Sequence, residues 1–169
     1  MRREIRIRQM LKNVTTTTTS GDSTVQLPSD FLQMRDLYID GDPLQPVIYL
    51  TPSLFTSNAQ STYAGKPTRY TILADEFKFA PYPDSAYTLY MLYYAAPPYL
   101  SDSQTTNVFT VNAMDCLLYA SLGEAEPYLM NDARLQTWAG LYQRGITSLT
   151  KSDDDAEFSA SPLTMRVSQ

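Results

Sequence analysis

The stretch from Arg69 to Leu100, RYTILADEFKFAPYPDSAYTLYMLYYAAPPYL, constrains the fold more than any other part of the chain. It reads as two short strands turning at Ala74-Asp75-Glu76, a Pro-rich corner at Pro81-Tyr82-Pro83-Asp84, and a long strand from Tyr87 to Tyr94 that stops at Pro97-Pro98. Strand side chains alternate, so Tyr87, Leu89, Met91 and Tyr93 share one face while Thr88, Tyr90, Leu92 and Tyr94 share the other. Both faces are apolar or aromatic. A strand with one wet face alternates with charges, so this one calls for cover on both sides, from its own domain on one and from more chain or another subunit on the other. Tyr90 and Tyr94 are therefore candidate interface residues, since aromatic side chains are enriched where subunits meet.

At 169 residues the chain is long enough for one domain with a sizeable core. The expected organisation is a single α+β domain over residues 1–157, a small antiparallel β-sheet or sandwich followed by a C-terminal antiparallel helical pair, with an extended tail over 158–169. The net charge of −5 is unevenly spread: Met1 to Asn13 carries Arg2, Arg3, Arg6, Arg8 and Lys12 against Glu4, a local +4 that leaves −9 for the remainder. An acidic body is a poor grip on DNA, whose backbone affinity comes from neutralising lysines and arginines. The chain has no histidine, which removes the usual general base and the commonest metal ligand, and its one cysteine, Cys116, cannot form an internal disulfide. With no signal peptide and no apolar run of transmembrane length, the chain reads as cytosolic or assembled in a cytosol.

Taken in order, RREIRIRQMLKN reads as the end of a helix leading into a strand: Ile5-Arg6-Ile7-Arg8 alternates like a strand, while Ile7, Met10 and Leu11 also suit one helical stripe. Thr15 to Thr19, a Gly21-Asp22 turn and Ser23 to Leu27 suggest a hairpin. Leu27-Pro28-Ser29-Asp30-Phe31 is a loop anchor with Phe31 and Leu32 as core plugs. Strands follow over Asp36–Ile39 and Pro46–Leu50, joined around Asp40-Gly41-Asp42-Pro43. Thr51 caps a short helix with Pro52 at its first position. Asn112 with Asp115 opens a longer helix striped by Met114, Leu117, Leu118, Ser121 and Leu122. A second starts near Asn131-Asp132, after a link at Glu126-Pro127 or its neighbours, and is striped by Leu135, Trp138, Tyr142, Ile146 and Leu149.

No catalytic constellation, cofactor motif or metal set emerges from the residues. Asp153-Asp154-Asp155 with Glu157 lacks the glycine turn and alternating spacing of a calcium loop. Asp75-Glu76 is ordinary turn chemistry, Cys116 reads as a small buried residue, and Gly65-Lys66-Pro67-Thr68 is a fragment of no phosphate loop. The basic start is open between a solvated helix flank, a contact with acidic protein and a contact with passing DNA.

Several segments together resemble the tailed-phage head-to-tail adaptor family, the connector rings that dock beneath the portal. The residues are Leu27-Pro28-x-Asp30-Phe31, Leu37-Tyr38-Ile39-Asp40-Gly41, Gly65-Lys66-Pro67-x-x-Tyr70-x-Ile72, Phe79-Ala80-Pro81-x-Pro83-Asp84 leading to Tyr87-x-Leu89, and Leu92-Tyr93-Tyr94-Ala95-x-Pro97. Asn107, Asp115, Leu117, Tyr119, Ala120 and Leu122 resemble the family's penultimate helix, and Ser161-Pro162-Leu163 its tail. The family usually carries a further amphipathic helix before the Arg-rich segment, and this sequence opens almost inside that segment, so the contacts of that helix are not carried over.

The resemblance implies a structural virion protein without enzymatic activity, assembled in the host cytoplasm. It forms a homo-oligomeric ring, commonly a dodecamer (a 12-mer), that joins the portal protein to a downstream tail or nozzle protein around a lumen through which packaged DNA passes unbound. On that reading Phe158, Ser161, Pro162, Leu163, Met165 and Arg166 bind a partner, and Arg2, Arg3, Arg6 and Arg8 join Tyr90 and Tyr94 at subunit interfaces. The alternatives are a tail-associated enzyme, against which the missing histidine and unpaired carboxylates argue, and a tyrosine-rich binding module.

Overall fold

A computed structural model of the chain describes residues 5–59, 63–129 and 134–158. Within the span expected to be one domain, the chain divides into two compact units, Leu11–Ala96 and a second made of Met1–Met10 with Pro97–Gln169.

The first unit is a two-layer sandwich. One sheet has the order β1-β8-β3-β4, built from β1 (Leu11–Thr17), β8 (Thr88–Ala95), β3 (Phe31–Ile39) and β4 (Gln45–Pro46), all antiparallel. The other has the order β2-β7-β6-β5, built from β2 (Thr24–Gln26), β7 (Glu76–Ala80), β6 (Arg69–Leu73) and β5 (Ile48–Tyr49). Here β5 runs parallel to β6, so this sheet is mixed and not the purely antiparallel one expected. The long strand is the hub of its sheet, pairing with β1 on one side and β3 on the other. Leu89, Met91 and Tyr93 form its core face and meet Leu37, Ile39, Tyr70, Phe77 and Phe79. Phe31 closes the gap, its ring 5.6 Å from Tyr93 and 6.1 Å from Phe77. The opposite face, with Tyr90, Leu92 and Tyr94, is half-buried.

The hairpin at Ala74-Asp75 is where the sequence places it, with Ala74 taking the left-handed conformation (φ 52°) that the turn requires. The expected hairpin around Gly21 is not formed. β1 pairs with β8 and β2 pairs with β7, so the two segments go to different sheets. Gly21, also left-handed (φ 80°), donates its N–H to the Pro83 carbonyl, and the Thr18 N–H goes to Tyr87. The turn is thus tied to the Pro-rich corner instead of closing on itself. Likewise the segment expected as one strand over Pro46–Leu50 is split between sheets, and β3 begins at Phe31, earlier than its expected start at Asp36. α1 (Pro52–Leu54) is short, starts after Thr51, whose side chain makes no cap hydrogen bond, and continues into a π-type turn over Phe55–Ala59.

In the second unit a single 3₁₀ turn, Arg8–Met10, takes the place of the expected helix end, and Ile5, Ile7 and Met10 are buried. α2 (Val108–Asn112) starts at Asn107, whose side-chain oxygen accepts the N–H groups of Phe109 and Thr110 while the Thr110 hydroxyl accepts the Asn107 N–H. In this capping box threonine fills the position where glutamate or glutamine is the familiar signal, and Asn112, expected to open the longer helix, is instead the last residue of α2, its side-chain amide donating to the Val108 carbonyl. α3 (Met114–Leu129) runs through Glu126 and Pro127, so the link to the next helix lies beyond them. α4 (Leu135–Phe158) follows; the expected start at Asn131-Asp132 lies outside the described residues. The two helices are antiparallel, because Gly145 meets Cys116 near the start of α3 while Trp138 meets Tyr119 and Glu126 farther along it.

Candidate docking surfaces

Asp30, from the Leu27-to-Phe31 anchor, holds three strands together. Its carboxylate accepts Lys12 Nζ of β1 at 2.7 Å and the Tyr93 hydroxyl of β8 at 2.8 Å, and its carbonyl accepts the Ala96 N–H just past β8. Burial alone raises a carboxyl, but here the lysine and the phenol outweigh it and hold Asp30 below its ordinary value. Burial and the facing Asp30 charge push the Tyr93 phenol up. Tyr70, buried in the same core, is pushed up to about 12, by desolvation first and by the neighbouring Tyr49 second. Lys66 donates to the Asp40 carbonyl and stands 5.9 Å from the Tyr87 ring centroid, fastening the turn after β3.

In the helical unit, Trp138 Nε1 donates to Glu126 Oε1 at 2.9 Å, and its ring stacks on Tyr119 at 6.1 Å. Glu126 is buried, and among the described residues its Oε2 has no hydrogen-bond partner. Trp138 itself is half-buried, less than its place in the stripe suggested, while Leu135 at the head of that stripe is exposed. On α3 Cys116 and Glu126 are buried; of the expected stripe Leu117 and Leu122 are half-buried, whereas Met114, Leu118 and Ser121 are exposed. Small residues let α4 approach: a Cβ added at Gly145 falls 2.6 Å from Cys116 Sγ. Several large apolar residues face out: Val111 of α2 is 73% exposed, and Met114, Leu118 and Tyr128 of α3 are 61%, 52% and 89% exposed.

Of the basic segment, Arg2 and Arg3 lie outside the described residues. Arg6 Nη1 donates to the Ile5 carbonyl at 2.8 Å. Arg8 finds its acidic counterpart in its own chain: its N–H donates to both Asp153 carboxylate oxygens at 3.0 and 3.1 Å, and its guanidinium reaches Asp153 and the Ala156 carbonyl. This long-range clamp fixes the last turns of α4 and was invisible to local sequence patterns. Phe158 closes α4, and Ser161, Pro162, Leu163, Met165 and Arg166 lie outside the described residues. Tyr90 and Tyr94 sit on the half-buried face of β8.

Two open cavities of about 400 and 420 Å³ indent the sandwich. The first is lined by Phe31, Met34, Arg35, Tyr49, Tyr70 and Ile72, an aromatic wall without a nucleophile–base pair; the second, beside Leu27, Pro28 and Asp75, is equally plain. Cys116 is buried, and burial followed by the adjacent Asp115 pushes its thiol up, away from a reactive thiolate. Among the described residues no group of three or more Cys, Asp or Glu side chains could hold a metal ion, and no helix is long and apolar enough to cross a membrane.

No curated protein matches the chain. The sequence model of the SU10 adaptor protein family matches residues 1–166, nearly the whole length. The chain therefore belongs to the SU10 adaptor protein family and is a phage adaptor protein.

Proposed function

We propose that the protein is the structural, non-enzymatic subunit of a connector ring in the virion neck, assembled in the host cytoplasm, that joins the portal to the next tail component and surrounds the DNA channel. The observation that carries this reading is the apolar surface one chain leaves open: Val111, Met114, Leu118 and Tyr128 in the helical unit, more than an isolated soluble chain gains from exposing. Tyr90 and Tyr94 on the half-buried strand face join the subunit contacts, as do Arg2, Arg3 and Arg6. Arg8 is already engaged by Asp153 and serves the contact by holding α4 in place. The tail residues Phe158, Ser161, Pro162, Leu163, Met165 and Arg166 bind a partner. An acidic body with no basic stripe lets DNA pass without gripping it. The test is electron microscopy of the protein mixed with the portal of its phage. Rings stacked on portal particles are expected; portal particles left bare at micromolar adaptor contradict the reading.

A further inference from the structure

Of the four edge strands in the sandwich, three are blunted: β2 has three residues, and β4 and β5 two each, with Pro46 in β4. β1 is different, with seven residues in unbroken register against β8 and no strand on its other side. Proteins suppress long open edges unless a strand is to be added there. The register says which groups are open. Thr18 donates to Tyr87 in line with the pairing of Thr17 with Thr88, and antiparallel bonding alternates, so Lys12, Val14 and Thr16 bond to β8. The N–H and C=O groups of Leu11, Asn13, Thr15 and Thr17 point outward. Among the described residues none of these has a backbone partner, and the side chains of Asn13, Thr15 and Thr17 are exposed.

The edge also has two distinct faces. Lys12, Val14 and Thr16 share the core face with Tyr93, Met91 and Leu89, and of these Val14 packs on the core, whereas Asn13, Thr15 and Thr17 share the outer face with Leu92, Tyr90 and Thr88. An added strand with apolar residues beside Val14 and polar ones beside Asn13, Thr15 and Thr17 suits both faces. The chain ends in such a sequence: after Pro162, Thr164, Arg166 and Ser168 alternate with Met165 and Val167. The eleven residues beyond Phe158 span about 36 Å when extended, more than a seven-residue strand requires.

We propose that the free edge of β1 takes up Thr164 to Ser168 of a neighbouring copy as an added strand, with Met165 and Val167 beside Val14 and with Thr164, Arg166 and Ser168 beside Asn13 and Thr15. This rests on the ring reading and names one of its joints. The test uses full-length chains. A Thr15→Cys chain is mixed in turn with chains carrying Cys at positions 164 to 168, then oxidised; Cys116 is buried and does not compete. Neighbouring same-face positions bring Cβ atoms within disulfide reach and opposite-face positions do not, so Thr164→Cys, Arg166→Cys or Ser168→Cys should give roughly tenfold more two-chain product than Met165→Cys or Val167→Cys. In parallel, Thr15→Pro removes an outward N–H only, so its melting temperature should stay within about 3 °C of the parent while assembly weakens.

Absent or non-alternating crosslinks in a protein that still forms rings overturn the strand and leave the ring standing. Crosslinks found solely inside single chains carrying both cysteines overturn the neighbour-to-neighbour exchange. A wild-type chain that stays monomeric with and without portal removes the ring and this joint together.

Discussion

Asp30 shows how a short loop residue can control a sheet. Its folded carboxyl lies below the ordinary value of 3.8, so unfolding raises its proton affinity. The stability it contributes is complete above the ordinary carboxylate range and is lost as pH falls through the lowered folded value. Asp30→Asn should therefore lower the melting temperature at neutral pH, and the gap to wild type should begin to close below about pH 4 and keep closing as pH falls through the lowered folded value, as thermal scans across pH can check. A gap that is constant with pH assigns the residue a role other than charge. Ala74 offers the opposite kind of change. Its φ of 52° is costly for alanine, so Ala74→Gly should raise unfolding free energy by up to about 1 kcal/mol in denaturant titrations. At Trp138 the ring is half-buried but its N–H serves a buried carboxylate. Trp138→Phe, which keeps a ring and loses that donor, should still cost about 1–3 kcal/mol by leaving Glu126 unpaired.

The elements differ in how far local sequence determines them. The faces of β8 were readable because strict alternation is a local property, and so was the turn at Ala74-Asp75. The partner of a strand is not local: Gly21 looks like a hairpin turn, yet its N–H goes to Pro83 and its two flanking strands enter separate sheets. On α3 both faces carry apolar residues, so helical spacing could not say which stripe turns inward. Close approach at Gly145 decided it, placing Cys116 against the partner and leaving Met114 and Leu118 outside. The same approach gives a test. In an ordinary helix Gly→Ala is favourable, but Gly145→Ala drives a methyl group into Cys116 Sγ and should cost about 1–3 kcal/mol. Adding Cys116→Ala should recover most of that loss, and a double-mutant cycle measures the coupling. Additive effects place the two helices farther apart than described.

For the whole molecule, the sequence carried the α+β class and the adaptor resemblance that the family match bears out. It carried less about surfaces. The pairing of Arg8 with Asp153 joins segments at opposite ends of the chain and has no local signature, and the outward apolar row of α3 is visible only once the inward row is known. Assembly is where these surfaces are used. Deleting Ser161 to Gln169 should leave the melting temperature nearly unchanged and weaken assembly, as scanning calorimetry and sedimentation can separate. The central claim is met most directly by light scattering coupled to size exclusion, run on the protein alone and mixed with portal. A single chain weighs 19.1 kDa. The ring account predicts a discrete particle of a fixed multiple of that mass, free or on the portal, weakening as salt rises where arginine contacts contribute. A species that stays at 19.1 kDa in both runs contradicts it.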